Sequence, residues 1–201
     1  MKVTAADGKT RITFYPADIK ALASLLWATN APETRFIGGR CNTKNPKTDS
    51  NGRVKDQDCF DTNPGSWHLS VVNQIGVEKR SFVMDATFDY EVWNQPVRSY
   101  SYTYFNPETL KPAKSLKDAV IELKSMKEDK FEKYRAKNAK YVVGVSMDVD
   151  YIVETFPKAS KNDLPSQDAV KRVSYEYDLE LDADMNIIGG EWYENAHPDR
   201  S

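Results

Sequence analysis

Hydrophobic positions along the chain change period several times, and each change marks an element. Arg11-Ile12-Thr13-Phe14 is a short β-like run. Pro16 fits a first helical position, where its missing N–H costs nothing, and Ile19, Leu22, Ala23, Leu26 and Trp27 recur at helical spacing. They predict a helix stopped by Asn30 and Pro32. Thr34 to Ile37 reads as a second short strand, ended by Gly38-Gly39. From Arg40 to Gly65 there is no period, only Asn, Asp, Lys, Gly and Pro in quantity. Trp67 to Ile75 alternates, with Trp67, Leu69, Val71 and Ile75 on one face and His68, Ser70, Val72 and Gln74 on the other. This predicts a strand, with Gly76 to Lys79 as its turn and Ser81 to Ala86 as its return. Pro96 to Phe105 is another β segment, with Val97, Ser99 and Ser101 on one side and Tyr100, Tyr102 and Tyr104 on the other. Ser115 is a good N-cap for a helix holding Leu116, Ala119, Val120 and Leu123. Lys124 to Lys140 is charged and reads as a solvated helix or loop. Tyr141 to Phe156 and Val170 to Leu181 are long alternating strands, and a turn at Asp182 to Asn186 leads into Ile187 to Tyr193.

The expected fold is therefore α+β, mostly antiparallel sheet in the second half with packed helices. A chain of 201 residues sets one domain, 1–201, as the expectation. With 40% hydrophobic and 11% aromatic residues it can bury a core, which excludes wholesale disorder. Lys and Arg number 28 against 30 Asp and Glu, so no basic excess points to nucleic acid or an anionic membrane. The longest apolar stretch, Ala21 to Ala31, is too short to cross a bilayer. Met1 to Arg11 has no apolar core of a signal peptide. The start is already strand-like, so we expect a fragment of a longer chain, in which case the missing signal says nothing about compartment.

Candidate chemistry narrows to a few side chains. Cys41 and Cys59 share the aperiodic loop, and His68 and His197 are the two histidines; neither pair makes a four-ligand zinc set, and no metal or cofactor is expected. A Cys41–Cys59 disulfide would tie the loop down, and a loop that long is usually functional or constrained. Either cysteine is otherwise a candidate nucleophile, Cys59 the better for its closeness to His68 in sequence, although neither precedes a helical pattern that would favour a thiolate. Asp182-Ala183-Asp184-Met185-Asn186 starts like a calcium loop but has Ile187 and Tyr193 where Gly and Glu are needed, so a hairpin turn is expected. Gly189-Gly190 reads as a bulge or a close backbone approach. A four-residue turn at 76–79 would make His68 and Asp85 diagonal neighbours on one face of adjacent strands. An Asp that holds an imidazole fixes its tautomer and stabilises the imidazolium, as a cysteine or serine nucleophile requires. A satisfied structural pair is the alternative.

Val92-Trp93-Asn94-Gln95-Pro96-Val97-Arg98 resembles the start of the surface epitope of the transglutaminase elicitor family, which includes oomycete cell-wall enzymes that plants sense and bacterial relatives. Phe14 to Leu22, Phe36 to Asn42, Asn63-Pro64-Gly65-Ser66-Trp67-His68 and Ile188-Gly189-Gly190-Glu191-Trp192 also look like it. The resemblance implies a papain/transglutaminase-like antiparallel sheet. It implies protein-glutamine γ-glutamyl transfer, in which a cysteine thiolate forms a thioester with a protein glutamine and a primary amine, usually lysine, resolves it. His68 and Asp85 match base and orienter in order; the family's Cys–Gly–Trp-like nucleophile motif is absent, and the thiol is expected in an N-terminal segment outside this chain. The family also implies a disulfide between the loop cysteines, protein substrates as partners, and a secreted or cell-envelope location. After Arg98 the epitope diverges to Ser99-Tyr100-Ser101-Tyr102, so plant recognition is not implied. A non-catalytic recognition protein on the same scaffold and a papain-like cysteine hydrolase are the alternatives.

Overall fold

The computed structural model describes residues 1–29, 36–39, 41, 43–50, 54–86, 94–153, 168–193 and 197–198. They group into two compact units, Met1–Arg35 with Glu154–Ala169, and Phe36–Val153 with Val170–Ser201. In the first, β1 (Lys2–Thr4) pairs antiparallel with β2 (Arg11–Thr13). Asp7 closes their turn by accepting the N–H groups of Lys9 and Thr10, each at 2.8 Å, beside Gly8 at a φ of 69°. The expected helix is α1 (Pro16–Thr29), and Asp18 accepts the Tyr15 N–H at 2.8 Å, an acidic side chain satisfying an orphan donor of the first turn. The stop signals Asn30 and Pro32, and Thr34 and Arg35 of the expected second strand, lie outside the described residues, and its described end, Phe36 and Ile37, is not in a strand.

The second unit is built on an antiparallel sheet. Its strands are β3 (Val83–Met84), β4 (Gln95–Phe105), β5 (Pro112–Ala113), β6 (Ile121–Glu122), β7 (Tyr141–Ile152), β8 (Val170–Leu181) and β9 (Ile187–Trp192). The order is β3-β4-β7-β8-β9, with β5 against β4 and β6 against β7. The β7–β8 ladder runs unbroken from Tyr141↔Leu181 to Ile152↔Val170. The expected turn into β9 forms, and Asp182 Oδ1 accepts the N–H groups of Asp184 and Asn186 at 2.9 Å each. The chain is thus α+β with a curled antiparallel sheet, as expected.

Expectations are corrected at several points. Residues 67–75 are not a strand: α2 (Pro64–Val71) runs into a π-helical stretch, Val72–Val77. Asn63 caps α2 by accepting from Gly65 N (2.9 Å) and Ser66 N (3.3 Å), and Pro64 sits in the first turn. The buried set is Pro64, Gly65, Trp67, His68 and Val71, a helical stripe, whereas Leu69 is exposed. The return strand shrinks to β3. Likewise α3 (Leu116–Ala119), capped by Ser115, ends before Val120 instead of reaching Leu123, because Val120 turns to extended backbone at φ −67°, ψ 137°.

The sheet has two distinct faces. Under α2 lie Tyr100, Tyr102 and Tyr104 of β4, Val145, Met147 and Val149 of β7, and Tyr175 and Tyr177 of β8; Trp67 packs edge-on against Tyr175 at 5.7 Å. A bulge between Val97 and Ser99 shifts the pairing from Val97↔Tyr151 to Ser99↔Asp150. It turns Val97 onto the tyrosine face, so strict alternation from Val97 to Ser101 does not hold. The opposite face is polar: Asp150 accepts from Ser99 (2.9 Å) and Arg172 (2.7 and 3.0 Å), and Asp148 accepts from Ser174.

Candidate functional site

His68 reaches the site on α2. The helix lays its imidazole against β4 and β8, where the ring meets Tyr102 edge-on at 5.0 Å and Nδ1 lies 2.8 Å from Tyr177 Oη. The residue is 5% exposed, and burial pushes its pKa down to about 4, so the ring is neutral at pH 7. A neutral imidazole has one donor nitrogen and one acceptor. Tyr177 Oη also faces Met147 Sδ at 3.8 Å. With the hydroxyl turned to that sulfur, Nδ1–H donates to Tyr177 and Nε2 keeps its lone pair. With the hydroxyl turned to Nδ1, the proton sits on Nε2.

Asp85 follows β3 and is 1% exposed. The next residue, Ala86, accepts a hydrogen bond from Tyr175 Oη at 2.7 Å, so this segment lies over the same sheet face that His68 packs on. The expected geometry, two side chains diagonal on paired strands, is not what forms: His68 rides on a helix, and its Nδ1 is engaged by Tyr177. Tyr177 was missed in the sequence because nothing local marks it among the alternating tyrosines of β8.

The loop cysteines are bridged. Cys41 and Cys59 are 18 residues apart, with Cα atoms at 4.3 Å. Around them Thr48 bridges Val54, and Gly39 N–H donates to Phe60 O at 2.7 Å. Arg40, Asn42 and residues 51–53 lie outside the described residues. The sequence holds two cysteines, so in this state the chain carries no thiolate.

His197 and Asp61 make an imidazole–carboxylate contact that nothing local in the sequence marks. His197 Nε2 lies 3.5 Å from Asp61 Oδ2, two residues past Cys59. Burial pushes the His197 pKa down, against the pull of Asp61, and pushes the Asp61 pKa up, against the pull of His197. Trp192 joins the two histidine regions: its ring lies 5.8 Å from His197 and 5.1 Å from Tyr177, and its Nε1 donates to Thr62 O at 2.8 Å. Long sequence separation hides this pairing. Among the described residues no three His, Cys, Asp or Glu side chains group as metal ligands.

The model of the transglutaminase elicitor family matches residues 4–201, and the chain belongs to that family. The heptapeptide that carries the resemblance is described from Asn94 onward, at the start of β4, while Val92 and Trp93 lie outside the described residues. Among solved structures the chain is similar to the crystal structure of the GP42 transglutaminase from Phytophthora sojae. The identity is 27% and the TM-score 0.53, over 99% of this chain and 48% of that one. The chain thus spans about half the length of this relative. No curated protein matches it.

Proposed function

We propose that this chain is part of a protein-glutamine γ-glutamyltransferase and supplies the imidazole of its site. Membership of the transglutaminase elicitor family carries the reading, and the likeness to GP42 supports it. A thiolate attacks the glutamine carboxamide and expels ammonia; a primary amine then attacks the thioester and releases the thiol. His68 takes the thiol proton and passes it to the leaving ammonia, Tyr177 holds its Nδ1 side, and Asp85 is the candidate orienter. The thiol comes from outside these residues, since both cysteines are bonded to each other. The substrates are a protein glutamine donor and a lysine or other amine. A disulfide and this family suit an oxidising, extracellular setting, so we place the protein in the secreted or cell-envelope fraction. No described helix is long and apolar enough to cross a membrane.

Two observations favour a second reading, a recognition protein on the same scaffold. The chain has no thiol, and the described part of the epitope-like heptapeptide shows Asn94, Pro96 and Arg98 to solvent while Val97 is buried. Incorporation of a fluorescent primary amine into a glutamine-donor protein separates the readings of the cysteines. The chain is expected to give none, before or after reduction. Incorporation that appears on reduction and vanishes with Cys59→Ser would make a loop cysteine the nucleophile and overturn the proposal.

A further inference from the structure

On the sheet face opposite His68 there is a cavity of about 310 Å³. Its floor is a cross-strand row: Thr103 pairs with Ser146 and Ser146 with Glu176, and Tyr193 donates its N–H to Glu176 O at 2.9 Å. One wall is the Phe105 ring, which lies directly over Gly144 in the space a Cβ would fill. Leu110 and Pro112 close another side from the connection into β5.

Lys130 is held at this cavity. Its Nζ sits 4.2 Å from the Tyr193 ring centre and 4.7 Å from that of Phe131. Its neighbour Asp129 is gripped by Arg135 through two N–H groups, at 3.0 and 2.9 Å, and accepts the Phe131 N–H at 3.0 Å. Arg135 is in turn bound to Asp178 at 2.8 Å and Glu180 at 3.3 Å, both buried. The backbone next to Lys130 is therefore anchored through Asp129, while the Lys130 side chain is exposed and lies over the Tyr193 and Phe131 rings.

Four of the lining side chains keep polar atoms uncommitted, the exposed Lys130 and Glu176 among them. Among the described residues the Lys130 ammonium and Glu176 carboxylate have no ion-pair or hydrogen-bond partner, and neither do the hydroxyls of Thr103 and Ser146. A simple anion here would meet Glu176, a simple cation would meet Lys130, and an apolar ligand would leave both charges unmatched. A dipolar ligand with an apolar body matches every wall. We propose that this cavity binds a short zwitterionic peptide, its carboxylate on Lys130, its ammonium on Glu176 and its side chains against Phe105, Leu110 and Tyr193. An internal stretch of polypeptide has neither end group, and a long chain's terminus has only one.

Calorimetric titration of the protein with leucyl-leucine, its N-acetylated form and its C-terminal amide tests this. The free dipeptide is expected to bind, and each blocked form about tenfold more weakly or worse, as loss of a charged hydrogen bond implies. Glu176→Gln should bind the free and acetylated forms alike, and Lys130→Met the free and amidated forms alike. Tighter binding of free leucine than of the dipeptide keeps the dipolar chemistry and makes an amino acid the source. No binding by any probe, equal binding of free and blocked forms to the unaltered protein, or charge variants that bind as it does, each overturns the proposal.

Discussion

Single residues in this protein are set by what surrounds them, and His68 shows how. Its pKa is 6.5 in an unfolded chain and about 4 in the fold. Between those values the unfolded chain holds a proton that the folded one does not, so stability rises with pH through that window. The contribution is fully present above about pH 6.5, is lost as pH falls toward 4, and amounts to about 3 kcal/mol. Asp178 works the other way: burial lifts its pKa from 3.8 to about 6, against the pull of Arg135, so its contribution is present below about pH 3.8 and lost as pH rises through 6. Urea unfolding at pH 4.5 and pH 7 should show His68→Gln losing less stability on acidification than the unaltered protein; an unchanged difference between the two pH values would contradict the buried neutral ring. Gly144 gives a steric prediction. A methyl group there enters the Phe105 ring, so Gly144→Ala should lower stability by about 1–3 kcal/mol, read as a lower midpoint in thermal unfolding. An unchanged midpoint would mean that the ring moves aside freely. Little of this was legible in the sequence. His68 stood out as a rare titratable residue, but its partner Tyr177 is 109 residues away and is fixed only by how α2 packs on β8.

Elements were read correctly where one local rule dominates. The β7 and β8 alternation survives because both strands pair along their full length in a single ladder. The pairing of Cys41 with Cys59 was foreseeable because the segment around them has no periodicity to hold it otherwise. Closing an 18-residue loop is worth about 3 kcal/mol by the loop-entropy model, so reduction should lower the urea midpoint accordingly. An unchanged midpoint would show the loop is held by other contacts. That residues 67–75 also fit a strand has a physical origin. Trp67, Val71 and Ile75 are four residues apart, so a helical period and a strand's alternation both place them on one side. The deciding signal was the start, Asn63 and Pro64, a cap followed by a residue preformed for the first turn. Asn63→Ala should cost about 1 kcal/mol in chemical denaturation. The Arg135 cluster had no local signal, because Asp178 and Glu180 come beside the 129–136 segment only after β8 is in register.

At the scale of the whole molecule, the fold and family were legible through short matching stretches spread from Phe14 to Trp192, and the site only in part. The sequence singles out His68 as a candidate base and leaves the cysteines open between a disulfide and a nucleophile; the disulfide forms, and His68 lies on a helix instead of the expected strand. The proposed role of His68 in acyl transfer, beside a loop disulfide that is structural, is the reading most open to test. It is tested most directly by labelled-amine incorporation in a polypeptide that joins this chain to the thiol-bearing part of a transglutaminase. His68→Ala should lower incorporation by about 10³-fold or more, as loss of a base beside a nucleophile does. A Cys41→Ser, Cys59→Ser double variant should keep its activity at temperatures where it stays folded. Full activity in the His68→Ala protein, or loss of activity in the folded double-serine protein, would contradict the account.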